Sequence, residues 1–137
     1  MPKNDRILDL NELLRSLNPR LNDGVYVFVS VSPDADISHL KPIATFVEAE
    51  GLSLIVEESQ LDGNEIDIHF RAAWITLTVN SDLNAVGLTA AVAKALADKG
   101  ISCNVVAAAC HDHLFVPTDA AEAAMTVLMG LQGQDAG

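Results

Sequence analysis

Residues 81–89, SDLNAVGLT, combine polar side chains and a glycine at the entrance to an alanine-rich helix. Backbone N–H groups in the first turn of a helix have no helical partners and carry about half a positive charge, which suits a carboxylate. Asp82, Asn84 or a backbone carbonyl is placed to accept from an ammonium group. Gly87 lets the backbone approach a ligand without a Cβ in the way. Together these groups suit the two charged ends of an amino acid.

The same loop has a simpler interpretation as the start of a helix. Ser81, Asp82 and Asn84 are all good N-cap residues, so one of them is expected to cap the helix whether or not a ligand binds. Gly87 would then lie in the first turn, where glycine costs about 1 kcal/mol relative to alanine. A cap alone does not explain that cost, although close packing of the helix on a sheet would. Both interpretations stay open.

A second polar cluster is the turn His111-Asp112-His113. Histidines at positions i and i+2 of a strand share a face and can ligate a metal, while Asp112 would point away. The sequence offers no clear third ligand, because His39 and His69 lie in other segments with no spacing that connects them. The turn either binds metal, lines a ligand site or is an ordinary exposed turn.

Catalytic motifs are absent from the sequence. It contains no GxxxxGK, GxSxG, HExxH or CxxC pattern, and the serine of residues 81–89 has no paired base. Acids cluster around residues 48–58, but no partner for acid–base work is implied, and we interpret them as a solvated hairpin face. We therefore expect no enzyme activity and no cofactor.

The charge balance restricts the possible partners. The chain of 137 residues has a formal net charge of −11, with 19 acids against 8 bases. This surface repels phosphate backbones and anionic membranes, so we expect no nucleic-acid or membrane partner. The apolar runs are far shorter than the roughly 20 residues that span a bilayer, and there is no apolar signal segment. We expect a cytoplasmic protein in which Cys103 and Cys110 are buried thiols.

In the second half, hydrophobic periodicity predicts alternating strands and helices. Strands are predicted near residues 72–79, 101–109 and 113–116, and helices near 84–98 and 118–130. Thr118 is the expected N-cap of the last helix. This order is a ferredoxin-like βαββαβ unit without its final strand.

The first half is expected to complete that unit. It begins with a short amphipathic helix at residues 8–17 and a strand at 24–31, and a hairpin follows at 44–59 around the turn at Glu50-Gly51. No helix is predicted between residues 31 and 43. Because an open sheet edge is an association hazard, we expect a first-half strand, residues 24–31 in particular, to fill the vacant position. The fold class is α+β, with two interlocked halves.

Three segments carry a resemblance to a known family. PIATFVEAEGLSLIVEE (42–58), AWITLTVNSDLNAVGLTAAVAKALADKGIS (73–102) and NVVAAACHDHLFVP (104–117) resemble small bacterial tandem ACT-domain proteins, which are related to the regulatory ACT domains of aspartate kinases and to cytosolic arginine sensors. The resemblance covers roughly residues 8–130 and is most specific in the second half. It implies a degenerate ACT-like half at 1–66, an ACT-like half at 67–132 and a disordered tail at 133–137.

The resemblance also implies a function and a site. The implied function is a non-catalytic regulatory sensor that binds a small molecule, most often an amino acid, at an ACT–ACT interface of a homodimer. The alternatives are a homodimerisation module without a ligand and a metal-binding protein that uses the His-Asp-His turn. The implied ligand residues are Ser81, Asp82, Leu83, Asn84, Val86, Gly87, Leu88, Thr89, His111, Asp112 and His113.

Overall fold

The computed structural model describes residues 7–62 and 66–133 of the chain. Within these ranges, seven strands form one sheet, and three α-helices accompany it. The strands are β1 (Pro19–Leu21), β2 (Tyr26–Val31), β3 (Ala44–Glu48), β4 (Gly51–Glu57), β5 (Ile68–Leu77), β6 (Asn104–Ala107) and β7 (Asp112–Pro117). The helices are α1 (Leu10–Arg15), α2 (Leu88–Ala97) and α3 (Ala121–Gly133).

The long strand β5 joins the two halves of the chain. The strand order is β3-β4-β2-β5-β7-β6, every pairing is antiparallel, and β1 lies beside the end of β5. Ala72 in the middle of β5 faces both Tyr26 of β2 and Pro117 of β7. The predicted α+β fold with interlocked halves is confirmed, and the halves share a single sheet.

The strand missing from the second half is supplied by the first. β2 pairs with β5 from Tyr26↔Ala72 to Val29↔Ile68, and β1 continues along the same edge. The sequence predicts that β5 starts at residue 72, whereas in the structure it starts at Ile68. The additional residues are held in the strand by their pairing with β2, a contact that local periodicity does not report.

The main core lies between the helices and one face of the sheet. In α2 the buried side chains are Leu88, Val92 and Leu96, which recur at helical spacing. They share one apolar cluster with residues of α1, α3, β5 and β7. Its fully or nearly fully buried members include Leu13, Leu17, Ile75, Leu77, Leu114, Val116, Ala124 and Leu128.

A turn-rich segment covers the same face of the first half, where an ACT unit would have a helix. Residues 32–40 form two hydrogen-bonded turns, with Ala35 N donating to Ser32 O and Leu40 N to Ile37 O, each at 2.9 Å. The buried Leu40 packs in one cluster with β2 and β4 side chains. The predicted absence of a helix here is therefore seen in the structure.

The opposite face of the sheet carries aromatic side chains. Phe28 contacts Phe115 and Phe70 edge-on, with ring centroids 5.3 and 5.6 Å apart, and Tyr26 contacts Trp74 at 5.1 Å. No residue of the three described helices belongs to this cluster. Trp74 is thus an anchor of the second face rather than of the main core.

The last helix begins differently from the prediction. Thr118 is not an N-cap: Thr118–Ala120 is a 3-10 turn after Pro117, without a side-chain cap, and α3 continues from it. The fixed φ of proline favours the tight turn that starts the helix. The helix reaches Gly133 instead of ending near residue 130, and the rest of the predicted tail, 134–137, lies outside the described residues.

The two cysteines differ in environment, which corrects the expectation that both are buried. Cys103 is partly buried, and burial raises its pKa to about 11, whereas Cys110 is exposed in the turn before β7. Both are free thiols.

We expect iodoacetamide at pH 8 to label the folded protein once per chain, at Cys110. A pKa near 11 leaves Cys103 with roughly 100-fold less of the reactive thiolate than an ordinary cysteine. Peptide mass mapping measures the modification at each site, and unfolded protein, in which both cysteines should react, is the control. Equal labelling of the two sites in the folded state would contradict the burial of Cys103.

Candidate functional site

The loop between β5 and α2 is tied to the start of the described chain. Ile7 N donates to Asn80 O at 2.8 Å, and Asp82 N donates to Ile7 O at 3.0 Å. Ile7 and Ser81 form a parallel bridge. The segment before α1 therefore fixes the position of a loop about 75 residues away along the chain.

Asp82 stabilises the loop itself rather than the helix. Its Oδ1 accepts from Asn84 N at 2.8 Å, and its carbonyl accepts from Ala85 N at 2.9 Å. An aspartate that binds the backbone two residues ahead forms an Asx turn. The predicted choice of Ser81, Asp82 or Asn84 as the helix N-cap is therefore wrong.

Gly87 is the N-cap of α2. Its φ is 102°, in the left-handed region, no side chain caps the helix, and its carbonyl accepts the first helical bond from Ala91 N at 2.9 Å. A Cβ at Gly87 would lie 3.2 Å from Leu10 Cδ2. The glycine is thus required by backbone conformation and by packing on α1, and it lies outside the first turn, which starts at Leu88.

The N-terminus of α2 leaves its first amides without protein partners. The N–H groups of Leu88, Thr89 and Ala90 precede the first helical hydrogen bond, and none of them donates to another described residue. These groups and the helix dipole create a positive potential at this end of the helix.

Asp112 places a buried carboxylate beside the loop that precedes α2. It begins β7, opposite Leu77 of β5 and Ala107 of β6, and its side chain is only 8% exposed. Its Oδ2 accepts a 3.1 Å hydrogen bond from Ser81 Oγ, which is itself buried. The His-Asp-His turn therefore contributes its central residue to the loop before α2.

These groups surround a cavity of about 140 Å³. Seven of its lining residues are among those singled out from the sequence, and Ala85 and Ala107 are additional. Alternation along β6 and β7 would have identified Ala107, had the pairing of these strands been known. The complete lining is Ser81, Asp82, Leu83, Ala85, Gly87, Leu88, Thr89, Ala107 and Asp112.

Four of the predicted site residues do not line this cavity. Asn84 and Val86 are exposed, Val86 at 83%. His113 lies on the aromatic face, because neighbours in a strand point to opposite faces of the sheet. His111 precedes β7, with its Nδ1 at 3.3 Å from Val79 O.

His113 belongs to a separate polar cluster beside Trp74. Trp74 Nε1 donates to His113 Nδ1 at 3.0 Å, so the neutral ring carries its proton on Nε2. Thr76 Oγ1 lies 3.2 Å from the same nitrogen and accepts from Asn22 Nδ2 at 3.0 Å. Burial, and secondarily the proximity of His111, lower the pKa of His113, while Asp112 acts in the opposite direction.

A second, larger cavity lies on the aromatic face and was not anticipated from the sequence. This groove has a volume of about 680 Å³. Most of its lining residues belong to β2, β3 and β4. The lining includes Phe28, Ala44, Phe46, Ser53, Ile55 and Val106, together with the ionisable residues Glu48, Glu50 and His69.

Neither a cluster of metal-ligating side chains nor a membrane-spanning helix is found among the described residues. Residues 7–62 and 66–133 contain no group of three or more His, Cys, Asp or Glu side chains that could hold a metal ion. None of the described helices is long and apolar enough to cross a bilayer.

The fold is that of two ferredoxin-like units that share one sheet. Two family models, each described as an ACT domain, match residues 6–73 and 70–129. The chain therefore belongs to the ACT-domain family and contains two such units in tandem. ACT domains are regulatory modules. This chain therefore has a fold that is typical of regulatory, ligand-binding proteins.

Two solved structures share this fold. A Vibrio cholerae protein of unknown function, described as a possible transport protein, is 44% identical over 90% of this chain and 95% of that chain, with a TM-score of 0.81. The ligand-free regulatory subunit of aspartate kinase from Thermus thermophilus shares the fold at 12% identity, with a TM-score of 0.64 over 85% of this chain and 97% of that chain. No curated protein matches the sequence.

Proposed function

We propose that this chain is a non-catalytic regulatory sensor that binds an amino acid in the cavity between the loop before α2 and the start of β7. One observation carries the proposal. The unpartnered N–H groups at the start of α2 and the buried carboxylate of Asp112 border the same cavity of about 140 Å³. A positive helix end and a negative carboxylate beside one cavity are the two kinds of partner that a zwitterion needs.

The two ends of the ligand have distinct partners in this proposal. The carboxylate binds the amides of Leu88 and Thr89, where the helix dipole favours an anion. The ammonium binds Asp112, because each carboxylate already accepts one hydrogen bond but Asp112 is the more buried of the two. Ser81 holds Asp112 in position through its hydroxyl.

The size of the cavity favours a small amino acid. Sites for drug-sized ligands usually have volumes of about 300–1,000 Å³, and this cavity is well below that range. A short side chain fits within it. A long side chain would have to extend beyond the lining residues.

We expect one or more of the twenty amino acids to raise the melting temperature of the protein. At a hundredfold its dissociation constant, a ligand stabilises the folded state by about 2.7 kcal/mol, which corresponds to several degrees. The measurement is a thermal-shift screen with each amino acid added separately. D-enantiomers of the active compounds serve as controls of matched composition.

The screen separates the proposal from the alternative of a homodimerisation module. If no amino acid raises the melting temperature, even at millimolar concentration, the sensor proposal is wrong. The cavity would then be a by-product of the turn at residues 82–84, and the alternative of a homodimerisation module without a ligand would be favoured.

We also propose that the protein is a homodimer in which residues 67–132 carry the ligand site and residues 1–66 contribute to association. Exposed apolar side chains on the first half, among them Phe46 and Val47, support this division.

A further inference from the structure

The short segment that leads into α1 contacts both ends of the loop before α2. At the first end of the loop, Ile7 O accepts a hydrogen bond from Asp82 N at 3.0 Å. At the second end, the side chain of Leu10 lies against Gly87, where an added Cβ would be 3.2 Å from Leu10 Cδ2. We call residues 7–10 the anchoring segment.

These contacts are adjacent to the proposed partners of the ligand. Gly87 directly precedes Leu88, whose amide is proposed to bind the carboxylate. Ser81 forms the bridge with Ile7, and its hydroxyl donates to Asp112, the proposed partner of the ammonium. None of the four described residues of the anchoring segment lines the cavity itself. The segment can therefore act on a ligand only by positioning the residues that touch it.

The anchoring segment is less buried than the core on which it lies. Ile7 and Leu10 are only partly buried where they pack against the main core, and Leu8 is 57% exposed. Segments with few buried contacts open locally at a lower free energy than the whole protein unfolds. Docking and release of this segment is therefore an equilibrium that binding at the adjoining loop can shift.

We propose that the anchoring segment positions the ligand loop, and that docking of this segment and binding of the amino acid are reciprocally coupled. This coupling rests on the sensor function proposed above and adds its regulation. A loop held at both ends keeps the amides of α2 and the carboxylate of Asp112 beside one cavity, so the docked state binds the amino acid more tightly. By linkage, the bound amino acid stabilises the docked segment by the same factor. Occupancy of the cavity thereby changes the exposure of residues 7–10, which gives the sensor a conformational output.

The first test measures amide hydrogen exchange by NMR in ligand-free Ile7→Pro, with Ile7→Val as the matched control. Proline removes the N–H that donates to Asn80 O, whereas valine keeps it together with a similar side chain. We expect the Asp82 amide to exchange at least tenfold faster in Ile7→Pro, through a local opening that low urea concentrations do not change. Equal exchange in the two variants, or exchange only through urea-dependent unfolding, would contradict the positioning role.

The second test measures affinity by isothermal titration calorimetry, with the amino acid that gives the largest shift in the thermal screen. Ile7→Pro should bind it at least fivefold more weakly than the wild type, and Ile7→Val equally well. Leu10→Ala removes the contact with Gly87 and should also weaken binding, whereas the same substitution at the exposed Leu8 should not. A merely structural role would lower the stability of these variants without changing the affinity of the folded protein. Unchanged affinity in both Ile7→Pro and Leu10→Ala would overturn the coupling.

The reciprocal effect is measured at an amide that the ligand does not touch. Ile7 is outside the cavity lining, and its N–H donates to Asn80 O at 2.8 Å. We expect the same amino acid, at saturation, to slow exchange of the Ile7 amide in the wild-type protein at least fivefold. Unchanged exchange at Ile7 with the cavity occupied would show that binding does not reach the anchoring segment, and the coupling would be wrong.

These results separate failure of the coupling from failure of the sensor proposal. An amino acid that binds the wild type and Ile7→Pro with equal affinity retains the sensor function and removes its link to the anchoring segment. If no amino acid binds, the sensor function and the coupling are both wrong. Exchange of the Asp82 amide then decides by itself whether residues 7–10 hold the loop.

Discussion

The Asp112→Asn variant is expected to bind the amino acid identified by the thermal-shift screen about 10- to 150-fold more weakly than the wild type. The charged hydrogen bond between a carboxylate and an ammonium contributes about 1.5–3 kcal/mol, and asparagine removes the charge while keeping the shape. Ser81 Oγ can still donate to the remaining amide oxygen, so the fold should persist. Isothermal titration calorimetry with that amino acid measures the change.

The Asp82→Asn variant is the control that tests whether the ammonium binds Asp112 in particular. Asp82→Asn removes a negative charge from the same cavity, but the Asp82 carboxylate is less buried than that of Asp112. We expect it to weaken binding less than Asp112→Asn does. The opposite order would assign the ammonium to Asp82, and unchanged binding in both variants would show that neither carboxylate holds the ligand.

Gly87 is unsuitable for such a test. Helix propensity alone suggests that valine is tolerated there, since valine costs a helix no more than glycine does. However, the residue lies at the N-cap with a φ of 102°, and a Cβ would lie 3.2 Å from Leu10. Gly87→Val would therefore strain the backbone and crowd the Leu10 side chain, and a loss of binding would not report on the ligand.

The Leu96→Ala variant is expected to lose about 2–5 kcal/mol of unfolding free energy. Leu96 has no exposed surface and lies in the main core between α2 and the sheet. Removal of its side-chain atoms forfeits their burial and leaves a cavity that the surrounding core fills only partly. Urea denaturation followed by circular dichroism measures the change.

The matched control is Leu83→Ala, the same chemical substitution at a side chain that is 61% exposed. We expect it to change the unfolding free energy by roughly 0.5 kcal/mol or less in the absence of ligand. Similar losses in the two variants would contradict the placement of Leu96 in the core.

Local patterns in the sequence determined most of the elements. The apolar spacing along residues 84–98 predicted a helix, because helical periodicity is a property of one element, and its buried side chains are Leu88, Val92 and Leu96. The turn at Glu50-Gly51 predicted the β3–β4 hairpin for the same reason, since its strands are adjacent in the chain. The loop before α2 was also identified from its residue types as a candidate ligand loop.

Tertiary structure alone decided which side chains meet at the cavity. Ser81 and Asp112 are separated by 31 positions, and their hydrogen bond requires the register between β5 and β7. That register, with the alternation of the strand, directs Asp112 to the helix face and His113 to the aromatic face. Gly87 acquires its role from contact with α1. Such contacts depend on pairings between segments that are distant in the chain. The residue pattern of a single helix or strand does not show which other element it will pack against.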